Sequence, residues 1–95
     1  MITMDGDRYL IRGPVTMANV QSVLAEGRNL FTGAAVTVDL SGMTEVDSSA
    51  VSVLLEWLRA AAADNRRIEF RGLPENLKSL INTYGVQNLL PEKGL

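Results

Sequence analysis

The sequence predicts a single α/β domain, in which a mixed β-sheet carries three or four helices packed mainly on one of its faces. Segments with a two-residue hydrophobic alternation take turns with segments of helical spacing, and this order is typical of α/β folds. The length of 95 residues fits one domain, and a 46% share of hydrophobic residues is ordinary for a globular protein. We therefore expect residues 1–95 to form one domain.

Three segments have the signals of strands, namely residues 8–13, 35–42 and 67–72. In each of them apolar or β-branched residues alternate with polar ones, and a glycine closes the segment. Residues 1–4 lie across the turn sequence Asp5-Gly6-Asp7 and are a candidate hairpin partner of the first strand.

Three further segments have the apolar spacing of helices. The first follows Thr16, which is a candidate N-cap, and the second covers about residues 48–63. The third begins at Pro74 and ends at Gly85, which supplies a C-terminal cap. Residues 86–95 form a short tail that fits one more strand or turn.

A helical wheel of the second helix separates a core face from an outer face. The predicted core face, which is expected to pack on Val36, Val38 and Leu40, consists of Val51, Leu54, Leu55, Leu58 and Ala62. The outer face carries Ser49, Val53, Glu56 and Ala60, with Trp57 on its flank. We therefore expect Ser49, Val53 and Trp57 to be accessible to a partner.

The composition argues against several kinds of chemistry. The chain has no cysteine and no histidine, which excludes disulfides, thiolate zinc sites and a Ser-His-Asp triad. A net charge of −2 gives no support for binding to nucleic acid or to an anionic membrane surface, and no nucleotide-binding motif is present. We expect a protein that is not an enzyme and that uses no cofactor or metal. The remaining enzymatic interpretation is acid catalysis by Asp39 and Asp47.

The sequence predicts neither a signal peptide nor a membrane span. Asp5 and Asp7 stand where a signal peptide needs an uninterrupted apolar stretch. No run approaches the roughly 20 apolar residues of a membrane-spanning helix. The expected location is the cytoplasm.

The loop of residues 41–49 ends in Asp47, Ser48 and Ser49, where the strongest strand leads into the second helix. Ligands of α/β sheets bind where strand C-termini meet helix N-termini. Asp and Ser are also preferred N-caps, so these residues have a sufficient structural explanation. Alternatively, the Ser49 hydroxyl contacts a partner, or it accepts a phosphate that the helix N-terminus favours and Asp47 opposes. The residues alone leave both interpretations open.

Residues 38–61, VDLSGMTEVDSSAVSVLLEWLRAA, resemble the central signature of STAS domains. In that family a strand ends in Asp-Leu-Ser, and a loop leads into Asp-Ser/Thr-Ser-Gly at a helix start. The order of the predicted elements is similar as well. One departure is Ala50, where many members have glycine. The resemblance implies a non-enzymatic domain that acts by binding another protein.

Two branches of the family imply two functions. In one, a small stand-alone STAS protein is a subunit of the Mla phospholipid ABC transporter and binds its cytoplasmic ATPase subunit. The segments VLLEWLRAA and LPENLKSLINTYGVQNLLP resemble this branch. In the alternative branch, the anti-sigma-factor antagonists, an anti-sigma kinase phosphorylates the second hydroxyl of the motif, which falls on Ser49.

The resemblance also implies roles for individual residues. The partner-binding residues would be Ser49, Ser48, Val53, Glu56 and Trp57. Asp47 would cap the helix start, and Ser49 is the candidate phosphorylation site. An ATPase partner would hold the chain in the cytoplasm, peripheral to the inner membrane and not inserted in it.

Overall fold

The computed structural model describes residues 1–90 and confirms the predicted fold class. The strands are β1 (Ile2–Asp5), β2 (Arg8–Val15), β3 (Ala35–Val46) and β4 (Arg67–Arg71). The helices are α1 (Val20–Leu30), α2 (Ser48–Ala63) and α3 (Glu75–Tyr84), and a 3₁₀ turn covers Gln87–Leu89. The rest of the predicted tail, residues 91–95, lies outside the described residues.

The four strands form one mixed sheet in the order β1-β2-β3-β4. β1 and β2 make the predicted antiparallel hairpin, with Met4 opposite Tyr9. β2, β3 and β4 are parallel, with Tyr9 opposite Val38 and Val38 opposite Phe70. Each parallel pair is joined through a helix, as crossover connections require.

The core lies on one face of the sheet. The buried strand residues are Ile2, Tyr9, Ile11, Val15, Val36, Val38, Leu40, Met43, Ile68 and Phe70. The intervening residues form a polar opposite face, on which Arg8 and Asp39 make an ion pair of 3.6 Å. The alternation of the sequence is therefore that of a sheet with helices on a single side.

Two strands are longer than the sequence predicts. β2 continues through Gly13-Pro14 to Val15, and β3 continues past Gly42 to Val46. The register between β2 and β3 shifts between Leu10 and Arg12 and again between Gly13 and Val15. The two strands stay paired because bulges absorb these shifts. A Cβ on Gly42 would lie 2.8 Å from the Ile11 carbonyl oxygen, which explains why glycine occurs inside this strand.

The first helix begins later than the Thr16 cap predicts. Residues 16–19 form a bend and turn, and the helix starts at Val20 with Asn19 as its N-cap. The Thr16 hydroxyl accepts a hydrogen bond from the Ala18 N–H at 3.2 Å instead of capping the helix. Thr16 thus stabilises the turn that precedes α1.

The predicted core face of α2 is correct at Val51 and Leu54, but the predicted rotation of the helix is wrong. The buried residues of this helix are Ser49, Ala50, Val51, Val53, Leu54, Trp57 and Ala61. Leu55 and Leu58 are only partly buried, and Ala62 is exposed. The helix is apolar around much of its circumference, so two overlapping stripes fit its sequence, and tertiary packing selects the one that includes Val53 and Trp57.

Trp57 is a central residue of the core. It is 5% exposed, and its ring packs edge-on against Phe31, with a centroid distance of 4.9 Å. Phe31 in turn packs edge-on against Tyr9 at 4.9 Å. The indole fits against α1 because residue 27 is glycine, since a Cβ there would lie 2.5 Å from the indole Cε2. Trp57, Phe31 and Gly27 therefore fix how α1 and α2 pack.

The third helix has Pro74 as its N-cap instead of its first residue, and Gly85 closes it in the predicted left-handed conformation, with φ 68°. Its buried residues are Leu77 and Ile81. Within residues 1–90, no helix is long and apolar enough to cross a membrane.

The rotation of α2 predicts different stability losses for two adjacent leucines. Leu54 is 1% exposed and Leu55 is partly buried. Leu54→Ala should lower the free energy of unfolding by about 2–5 kcal/mol, as buried large-to-small changes do. Leu55→Ala should cost about 1 kcal/mol or less, as changes at partly exposed positions do. Urea denaturation of both variants measures the difference, and equal losses would contradict the rotation described here.

Candidate functional site

The starts of the three helices meet at one edge of the sheet, because β2, β3 and β4 are parallel. Two hydrogen bonds join the connections at this edge. The Met17 N–H donates to Asp47 Oδ2 at 3.0 Å, and Asn76 Nδ2 donates to the Thr44 carbonyl oxygen at 3.0 Å. The segment that leads into α2 is thereby held by its neighbours on both sides.

Asp47 is the residue that joins the start of α2 to the β2–α1 loop. It is the N-cap of α2, and its Oδ1 accepts a hydrogen bond from the Ser49 N–H at 2.8 Å. Its other oxygen accepts the Met17 N–H, and its carbonyl oxygen accepts the Ala50 N–H at 3.0 Å. One carboxylate thus satisfies donors from two segments, which fixes Met17 beside the helix start.

These hydrogen bonds hold the Asp47 carboxyl in its ionised form. The Met17 N–H lowers the Asp47 pKa most, burial works in the opposite direction, and the bonds from Ser49 lower the pKa further. The result is a pKa below the ordinary value of 3.8. Asp47 is therefore negatively charged at neutral pH, in the position where a helix dipole favours an anion.

The two serines have different surroundings, and the expectation that Ser49 is accessible is wrong. Ser48 is exposed, whereas Ser49 is 5% exposed. The Ser49 hydroxyl lies near enough to the Asp47 carboxylate to help lower the Asp47 pKa. The Ser49 hydroxyl is therefore enclosed and does not stand on the surface of the helix.

Of the other predicted binding residues, some are likewise buried and one is accessible. Val53 and Trp57 are buried, so the expectation that they are accessible is wrong, and the cause is the rotation of α2. Glu56 is half-exposed and makes a bidentate ion pair with Arg59. Of the residues predicted to contact a partner, Ser48 and Glu56 are available at the surface.

A different set of residues faces outward at the start of α2. Met17 is 75% exposed, and Ser48, Ser52 and Leu55 lie on the outer stripe of α2, where the serines are exposed and Leu55 is partly buried. We call these four residues the α2-start surface. Met17 follows Thr16, the predicted cap of the first helix, and was therefore expected inside that helix, but the start of α1 at Val20 leaves Met17 in the exposed turn before it.

Asp39 and Asp47, the two candidate acids, lie in different parts of the fold and have different hydrogen-bond partners. Burial works against ionisation of Asp39, but hydrogen bonds from the Ser41 hydroxyl at 2.6 Å and from Arg8 lower its pKa overall. Asp39 lies on the polar face of the sheet and Asp47 at the helix start. Among the residues described, no group of three acidic side chains is placed to hold a metal ion.

The two hydrogen bonds to Asp47 predict a pH-dependent effect of removing its charge. Asn has a single acceptor oxygen, so Asp47→Asn leaves either the Met17 or the Ser49 N–H without its partner. Because the folded-state pKa is depressed, the charged carboxylate stabilises the fold at neutral pH, and this contribution disappears as the pH falls through the folded-state pKa, below 3.8. The variant should therefore melt at a lower temperature than wild type at pH 7.

Thermal denaturation across this pH range tests the assignment. The difference in melting temperature should shrink below pH 3.8, where the wild-type carboxyl also becomes protonated. Glu45→Gln, at an exposed carboxylate two residues earlier, is the matched control and should have little effect. A difference between Asp47→Asn and wild type that stays constant over the whole range would contradict the role of the charge.

Comparison with known proteins extends these observations. A family model described as "Mlab, STAS domain" matches residues 7–91. No curated protein sequence matches the chain at a significant level.

Similar solved structures include the unphosphorylated anti-sigma factor antagonist SpoIIAA, at 13% identity over 99% of this chain and 87% of that one, with a TM-score of 0.72. RsbS of Moorella thermoacetica is 18% identical over 100% and 86% of the two chains, with a TM-score of 0.67. The STAS domain of a SulP transporter from Vibrio cholerae is 12% identical over 93% and 71%, with a TM-score of 0.57. These likenesses concern the fold, and the family model covers nearly the whole of this chain, which therefore belongs to the STAS domain family.

Proposed function

We propose that the chain is a protein-binding STAS subunit that docks onto the ATPase subunit of a phospholipid ABC transporter of the Mla type. STAS domains generally act as regulatory or interaction domains and bind protein partners. The observation that carries the proposal is the α2-start surface, which Asp47 holds in a fixed arrangement. The matching family model supports the transporter branch, because its description names Mlab.

The α2-start surface has the chemistry of a small protein-docking site. Met17 offers a flexible, polarisable side chain that adapts to a partner's surface. Leu55 adds partly exposed apolar area, and Ser48 and Ser52 add hydroxyl groups on the same stripe of the helix. An apolar centre with a polar rim is the usual anatomy of a protein–protein interface.

The predicted binding residues take two kinds of role in this proposal. Ser48 contacts the partner directly, and Glu56, paired with Arg59, lies at the edge of the contact. Ser49, Val53 and Trp57 act from inside the domain, because they hold the rotation of α2 that brings Ser48 and Ser52 to the surface.

The alternative is an anti-sigma-factor antagonist that is switched by phosphorylation at Ser49. It rests on the Asp47-Ser48-Ser49 motif. Ser49 is enclosed against the Asp47 carboxylate, so a kinase would need the first turn of α2 to open. A phosphate there would also meet the negative charge of Asp47. These two obstacles favour the transporter proposal.

The two exposed methionines provide a matched test of the docking surface. Met17→Ala should weaken binding to the ATPase subunit about tenfold, as truncation of an interface anchor does. Met4→Ala, at a 59% exposed position on β1, should leave binding unchanged. The two side chains lie at opposite ends of β2, roughly 20 Å apart at the rise of a β-strand. Titration calorimetry with the ATPase subunit of an Mla-type transporter from the same organism gives both affinities.

A second pair of variants tests the helix face itself. Ser52→Arg places a long cation in the α2-start surface and should abolish capture of the ATPase subunit, whereas Ser79→Arg, at an exposed position of α3, should not. Unchanged capture by both Ser52→Arg and Met17→Ala, with normal melting curves, would contradict the proposal. Stoichiometric phosphorylation of Ser49 by an anti-sigma kinase, measured by mass spectrometry, would support the alternative.

A further inference from the structure

The only sulfur atoms in the sequence are the thioethers of four methionines, because the chain contains no cysteine. Met43 is 6% exposed and Met1 is partly buried against the core, so the fold shields Met43 almost fully and Met1 in part. Met4, on β1, is 59% exposed, and Met17 is 75% exposed. Oxidation of a sulfur follows its access to solvent, so Met17 is the methionine that the fold protects least.

Met17 has a fixed backbone and a free side chain. Its N–H donates to Asp47 Oδ2. The turn around it is closed by two further bonds, in which the Asn19 N–H donates to the Thr16 carbonyl oxygen at 3.1 Å and the Thr16 N–H donates to Asn19 Oδ1 at 3.0 Å. None of these bonds uses the thioether. A change at the sulfur therefore alters the surface of the domain without removing a contact on which the turn depends.

Oxidation to the sulfoxide reverses the character of the Met17 side chain. The sulfur lone pair attacks one oxygen of hydrogen peroxide, and the S–O bond forms as the O–O bond breaks. The proton of the transferred oxygen passes to the leaving hydroxide, which departs as water, so the sulfur is oxidised and the peroxide is reduced. A flexible apolar group becomes a polar one. Its new oxygen needs a hydrogen-bond donor wherever a partner covers it.

We infer that Met17 is a redox modification site, at which a hydroperoxide weakens docking of the chain onto its partner. The inference rests on the proposed function, in which Met17 is an apolar anchor of the α2-start surface. Met4 lies at the opposite end of β2 from that surface, so its oxidation leaves docking unaffected. Methionine sulfoxide reductases return a sulfoxide to the thioether, so the modification is reversible.

The selectivity of oxidation is measured on the full chain by itself. Trypsin cuts after Arg12, Arg28 and Arg59, so residues 13–28 carry Met17 as their only methionine, and residues 29–59 carry only Met43. Native protein is treated with dilute hydrogen peroxide, quenched with catalase, digested and analysed by mass spectrometry. The Met17 peptide should gain one oxygen about tenfold faster than the Met43 peptide. In concentrated urea the two rates should become equal, because unfolding exposes both sulfurs.

The effect on docking is measured after the peroxide has been removed. Titration calorimetry uses the untreated ATPase subunit of an Mla-type transporter from the same organism. The oxidised chain should bind it about tenfold more weakly than the untreated chain does, as expected for loss of an interface anchor. Incubation of the oxidised chain with the reductases for both sulfoxide epimers and dithiothreitol should restore the affinity.

Two leucine variants separate Met17 from the other methionines, and each is compared with itself before and after peroxide. Met17→Leu has an apolar side chain that peroxide does not oxidise, so treatment should leave its affinity where it started. Met4→Leu keeps Met17 and should lose affinity about tenfold on treatment, as wild type does.

Three results would overturn the inference. These are oxidation of native Met17 no faster than that of Met43, an oxidised chain that binds as tightly as the untreated one, and an equal loss of affinity in Met17→Leu. Absence of binding by the untreated chain would instead overturn the proposed function, and the effect of oxidation on docking with it. The two failures are therefore distinguishable.

Discussion

The contact between Trp57 and Gly27 is the constraint on which the rest of this domain depends. A bulky indole reaches the core only because α1 has no side chain at residue 27, and Phe31 closes over its edge. An interior is packed as closely as a crystal, so a ring of this size admits one rotation of its helix. That rotation brings Val53 and Leu54 inside and leaves Ser52 outside.

The same rotation determines which chemistry the domain presents to a partner. It encloses the Ser49 hydroxyl against Asp47 and turns Ser48 outward, so adjacent serines have opposite environments. Asp47 then ties Met17 to the helix start. The Trp57–Gly27 contact in the middle of α2 and the Asp47 carboxylate at its start therefore create this surface together. Two separate segments of the chain contribute to it, namely α2 and the turn that contains Met17. Such a surface suits a protein that works by docking.

The sequence predicts the order of strands and helices because each has its own local signal, such as the alternation of residues 67–72 or the glycine that ends α3. The rotation of α2 has no such signal, since apolar residues occur at both Leu54 and Leu55 and at both Trp57 and Leu58. Only the space left by a glycine on another helix decides between them. The hydrogen bond from Met17 to Asp47, which spans 30 residues, is equally invisible to local patterns.

The position of Trp57 can be measured directly, because it is the one tryptophan in the sequence. Its fluorescence reports the polarity around the indole, and quenching by acrylamide reports its access to solvent. A ring that is enclosed by α1 and Phe31 should emit at short wavelength, resist quenching in the native protein, and change to a red-shifted, readily quenched emission on denaturation. A native emission that is already red-shifted and easily quenched would place the indole on the surface and contradict the rotation of α2 on which this account depends.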